Sequence, residues 1–71
     1  MYADSLTALN SALSIDPDNA ETRYKIAKVY NYYLYDREKA LENYRAALKL
    51  NPYHCDKKLI DWEIKRLEAM R

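Results

Sequence analysis

The chain repeats itself. Leu6, Ala12, Leu13 and Pro17 return 35 positions later as Leu41, Ala47, Leu48 and Pro52, with Leu9 answered by Tyr44 and Ile15 by Leu50. A period of this size marks a supersecondary unit stacked on its own copy, because one unit alone cannot bury its apolar face. The spacing inside each copy is helical. Leu6, Leu9, Ala12 and Leu13 make one stripe, and Ala40, Leu41, Tyr44, Ala47 and Leu48 make the other. Each copy runs into a turn, Asp16-Pro17-Asp18-Asn19 or Asn51-Pro52-Tyr53-His54. Proline there removes a backbone donor and turns the preceding residue out of helical geometry. The 71 residues contain no glycine, which excludes a Gly-rich phosphate loop and argues against a hairpin-rich β fold.

Between and beyond the two copies the helical period continues. Ile26, Tyr30 and Tyr33 fall at i, i+4 and i+7, flanked by Ala27 and Val29. Leu59, Ile60, Ile64, Leu67 and Met70 spread over a wide arc with Trp62 at its edge. The spacing predicts an all-α chain of four antiparallel helices over 2–15, 19–34, 37–50 and 54–70. A weaker break lies between Tyr33 and Asp36, where Asp36 is suited to capping the following helix. Asp18 with Glu21 three residues on has the form of a capping box for the second helix. The chain is long enough for one small domain, 1–71.

The segment Ala40-Leu41-x-x-Tyr44-x-x-Ala47-Leu48-x-Leu50-Asn51-Pro52 resembles the second helix and closing proline of a tetratricopeptide repeat (TPR). Arg23-Tyr24-x-Ile26-Ala27-x-x-Tyr30 resembles the first helix of the same repeat, with Ala27 where glycine is usual and Tyr30 at a large aromatic position. The resemblance covers about residues 2–54 and implies the antiparallel helical hairpins of an α-solenoid. It divides the chain into the second helix of a partial repeat (2–18), a complete repeat (19–53) and a capping helix (54–71). Small residues at Ala27, Ala40 and Ala47 would let two helices approach closely while Ile26, Tyr30 and Tyr44 fill the gaps.

Three departures stand out. The chain starts within a repeat. Its central repeat is one residue longer than the family norm, in a Tyr33–Asp36 turn without glycine. Continuing the register past Pro52 puts Asp61, Trp62 and Lys65 at positions equivalent to Ile26, Ala27 and Tyr30. Those positions call for large apolar, small and aromatic residues, so the fourth helix is expected to close the stack with a polar face outward.

No catalytic residues, cofactor or metal site are expected. His54 and Cys55 are neighbours, and neighbours on a helix point about 100° apart, a poor geometry for a nucleophile and its base. His54 reads as a helix-start residue and Cys55 as a small buried contact. The single cysteine excludes an internal disulfide framework and a multi-Cys zinc site. It fits a reducing compartment, and with no apolar run of membrane-spanning length and no visible signal peptide the expectation is an intracellular, cytoplasmic protein.

In the resembled family the first helix of each repeat lines a groove that holds a peptide, which implies a non-catalytic protein–protein interaction or scaffolding module. Carried onto this chain, the groove positions are Glu21, Tyr24, Lys25, Lys28, Asn31 and Tyr32. Lys25 and Lys28 share a helix face suited to an acidic side chain or terminal carboxylate. In members that clamp the carboxy-terminal carboxylates of chaperones, lysine and asparagine stand where this chain has Tyr24 and Lys28, so the resemblance does not extend to that ligand.

Self-association is the alternative, through the open face of the first helix or the wide arc of the fourth. Residues 1–22 carry a net −4 and residues 23–71 a net +5, a polarity that suits end-to-end stacking or an acidic partner. RNA binding, known among related helical repeats, is the weakest reading, because a total of +1 leaves little electrostatic footprint.

Overall fold

A computed structural model describes residues 2–70, and the side chains of residues 6–70. Met1 and Arg71, the two ends of the expected 1–71 domain, lie outside the described residues. The described chain is four helices with no strand: α1 (Tyr2–Ile15), α2 (Ala20–Val29, continued by a wider turn over Tyr30–Leu34), α3 (Arg37–Leu50) and α4 (Lys57–Ala69).

The caps show which start signals the backbone used. Asp36 Oδ1 accepts from Lys39 N at 3.2 Å, as its position before α3 predicts. At α2 the Asp18–Glu21 capping box does not form. Asn19 takes the cap, with Oδ1 accepting from Thr22 N at 3.0 Å. Glu21 is drawn instead to His54, whose Nε2 lies 2.7 Å from its Oε2.

The glycine-free turn after α2 has a specific solution. Over Tyr30–Leu34 the helix widens to i→i+5 pairing, which takes up one additional residue. Tyr35 then adopts a left-handed conformation, φ 54° and ψ 35°. Tyr30 O accepts from both Tyr35 N–H and, at 2.9 Å, Asp36 N–H. Two backbone donors that would otherwise be orphaned are thereby paired.

α4 starts at Lys57, three residues later than the periodicity suggests. Asn51 Oδ1 holds Tyr53 N at 3.1 Å, and His54 Nδ1 then accepts from Asp56 N at 3.0 Å. These side chains satisfy the backbone of 53–56 as consecutive turns and delay the helix.

The centre of the molecule lies between α2 and α3. Ala27, Ala40 and Ala47 are fully buried there, and Tyr24, Leu41 and Tyr44 fill the space beside them. The Tyr24 and Tyr44 rings are tilted at 49°, with centroids 6.1 Å apart. α4 closes the other side of α3 with Ile60 and Leu67, and with Ile64 partly buried. Trp62 and Lys65 are exposed.

α1 and α3 are sequence copies with unequal surroundings. α3 packs on both α2 and α4, whereas α1 packs on α2. Leu6, Leu9 and Leu13 are therefore only half-buried, and Ala12 is exposed where its counterpart Ala47 has no accessible surface. Among the described residues no helix is long and apolar enough to cross a membrane.

Candidate functional site

The six groove positions read from the sequence do not form one continuous exposed face. Lys25 is exposed and Lys28 half-exposed, with its ammonium 4.5 Å from the centre of the Tyr24 ring. Tyr24 itself is buried, packed between Tyr44 and the edge of His54 at 5.2 Å. Burial, and to a smaller degree the acids Asp56 and Glu21, push its phenol above the ordinary range. Glu21 stays at the rim, held by His54. Asn31 is buried, and Tyr32 is about half exposed, 48%.

Asn31 is buried because it belongs to a polar network that the sequence did not announce. Glu63 of α4 is 1% exposed. Asn31 Nδ2 donates to Glu63 Oε2 and, at 3.2 Å, to the Tyr44 hydroxyl. Tyr32 donates its hydroxyl to the same carboxylate oxygen at 3.2 Å. Arg66 donates Nε to Oε1 at 3.2 Å and Nη2 to Oε2 at 3.1 Å, and reaches Asn31 Oδ1 at 3.1 Å. A carboxylate this deep in an apolar helix pair would be costly alone; four donor contacts and a counter-charge offset that cost. The hydrogen bond to Glu63 raises the Arg66 guanidinium above its ordinary pKa. Burial first, and Glu63 second, raise the Tyr32 phenol, while burial raises that of Tyr44. A signal for Glu63 did exist. It sits within the apolar stripe of Ile60, Ile64 and Leu67, with a basic residue three positions on.

Beside this network lies an open cleft of about 550 Å³ between the widened turn after α2 and the C-terminal half of α4. Its walls include Tyr32, Tyr35, Trp62 and Met70, with Arg37 and Arg66 among them. The sequence places Trp62 at the edge of the apolar arc of the fourth helix but does not single out Tyr35, Arg37 and Arg66, because their meeting depends on where α4 docks.

His54 and Cys55 differ from expectation. His54 is buried in the turn before α4 and ties that turn to the start of α2 through Glu21. Cys55 is exposed, so the small buried contact expected of it is not made. Off the helix, ligand-capable atoms of His54, Cys55 and Asp56 lie within 4.8 Å of one another. Both ring nitrogens of His54 are already engaged, Nε2 with Glu21 and Nδ1 with Asp56 N–H. A metal there would have to displace one of these bonds.

Compared with known families, residues 2–31 match the model described as TPR repeat. The match runs through α1 and α2 and ends at Asn31 in the widened turn. No curated protein and no solved structure matches the chain. The matched segment, which is less than half of the chain, together with the antiparallel helical pairs that contain it, supports a tetratricopeptide repeat assignment.

Proposed function

We propose that this chain is a non-catalytic interaction module that holds a peptide or partner protein along the outward face of α2. Protein–protein interaction is the general role of the family. The observation that carries the placement is the state of Lys25 and Lys28. Both stand on that face, and neither is paired with a carboxylate among the described residues. Two such cations favour an acidic partner. Tyr32 and Glu21 add hydrogen-bonding ends at either side, whereas Tyr24 and Asn31 support the face from beneath rather than touch a partner.

Affinity capture with the double variant Lys25→Glu/Lys28→Glu tests this. Partners held by the wild type should be lost from it and retained by Lys49→Glu, a change on a different helix. Capture that survives the double variant removes the α2 face as the binding surface.

A second reading, self-association through α1, is favoured by one observation. Ile15 is 86% exposed and Ala12 open, while α3, the copy of α1, buries the counterpart of Ala12 completely. Burying such a stripe in a second copy would gain about 25 cal/mol per Å² of apolar surface. Light scattering over a concentration series decides it. A mass that stays at one chain throughout excludes the second copy.

A further inference from the structure

The cleft beside α4 has features that folding alone does not account for. Four large apolar groups meet there and remain open: Tyr35 at 83% exposure, Met70 at 58%, Trp62 at 57% and Tyr32 at 48%. Single exposed hydrophobics are ordinary, but a cluster of Trp, Tyr and Met with arginines is the composition of binding hot spots.

Tyr35 is the informative member. It is the positive-φ residue of the described chain, in the conformation that glycine or asparagine adopts most readily. A bulky ring makes that conformation costly, and an 83% exposed ring returns little packing for it. Glycine would serve the turn better. Contact with something outside the chain would account for the tyrosine.

Charge defines the other half of the site. Glu63 is committed to Arg66. Arg37 has no carboxylate partner among the described residues, and its one described hydrogen bond is a long donation of 3.4 Å to Leu67 O. It is the first residue of α3, where the helix end is already positive. The cleft thus holds two guanidiniums against one carboxylate and has an unmet demand for negative charge.

We propose that this cleft docks a short segment of a partner protein, seating an aromatic or large aliphatic side chain among Tyr32, Tyr35 and Trp62 and placing a nearby carboxylate on Arg37. The volume, about 550 Å³, suits one or two side chains rather than a whole helix. The inference rests on the reading of the chain as an interaction module, and it names a recognition site at one end of the α2 face together with its ligand chemistry.

The probes are short synthetic peptides in which phenylalanine or leucine lies two to four positions from aspartate or glutamate. Matched sets carry asparagine and glutamine, or lysine, in place of the acids. Trp62 is the only tryptophan, so its emission reports occupancy of the cleft directly. The acidic peptides should bind and the lysine peptides should not. Arg37→Gln and Trp62→Ala should each weaken binding by about tenfold or more, the latter read by calorimetry. Tyr35→Gly should raise the melting temperature while weakening binding to a similar degree, a pairing that a merely structural tyrosine would not produce.

Equal binding of acidic and lysine peptides overturns the proposal. So does an absence of binding by every acidic peptide, or a Tyr35→Gly variant that gains stability with its affinity unchanged. Partner capture that fails with Lys25→Glu/Lys28→Glu but is indifferent to Arg37→Gln leaves the α2 face standing and removes the cleft.

Discussion

Replacing Arg66 by methionine keeps the aliphatic stem and removes the charge that faces Glu63. The Glu63 side chain is 2% exposed and that of Arg66 35% exposed, with Nη2 and Oε2 3.1 Å apart. At an effective dielectric near 20, that separation corresponds to roughly 5 kcal/mol of gross attraction. Desolvation cancels much of it, water can reach the site left by a side chain one-third exposed, and Asn31 and Tyr32 still donate to the carboxylate. A net loss of about 2 kcal/mol is the expected result. For a domain of this size total stability is about 4–11 kcal/mol, so the loss is a large share. The melting temperature should fall by about 8–16 °C.

Thermal and urea unfolding followed by far-UV circular dichroism measure it. Glu63→Gln in the Arg66→Met background should recover about 1 kcal/mol, because it removes the unpaired buried charge. The exposed pair Arg45–Glu68, with side chains 55% and 47% exposed, is the control, and Arg45→Met should cost no more than about 0.5 kcal/mol. If Arg66→Met costs as little as Arg45→Met, or if the Arg66 and Glu63 effects simply add, the two groups do not act as a unit and the network reasoning fails.

Alkaline pH should act through the buried phenols. The folded chain holds Tyr44 in its neutral form, chiefly through burial, with Tyr24 and Tyr32 raised in the same direction. Below pH 10 the phenol is neutral in both states and its contribution is intact. Above it the unfolded chain ionises first, so stability should fall by up to about 1.4 kcal/mol per pH unit for Tyr44. Tyr44→Phe should move the alkaline unfolding midpoint upward, and an unmoved midpoint contradicts the assignment. The two copies of the repeat element should also respond differently to overpacking. Ala47→Leu, at a fully buried position of α3, should cost about 1–3 kcal/mol, whereas Ala12→Leu, its counterpart on the open side of α1, should stay within about 0.5 kcal/mol. Equal costs would mean that α1 is packed as tightly as α3.

Local chemistry made the helices legible. Apolar spacing, the two proline turns and Asp36 are short-range signals, so α1, α3 and the start of the widened second helix follow from neighbours in the chain alone. The recurrence over 35 positions likewise exposed the stacking logic, since identical stripes have to find similar partners. Short-range rules erred where a distant side chain competed. Glu21 left its capping box for His54, and the turn bonds of Asn51 and His54 delayed α4. The inequality of α1 and α3 is also invisible in their stripes. It arises because α3 has helices on two sides and α1 is described against α2.

The candidate sites divide along the same line. Lys25 and Lys28 share a face by helical period, which sequence determines. Tyr24 was buried by Tyr44 of α3 and His54 of the following turn, while the burial of Asn31 and Glu63 and the cleft that gathers Tyr35, Arg37 and Trp62 were decided by the docking of α4. Residues 13 to 32 positions apart, such as Asn31 with Tyr44 and with Glu63, meet only when helices cross. No spacing rule within one helix encodes that crossing. It is set by how alanines and tyrosines on three helices fill one shared volume.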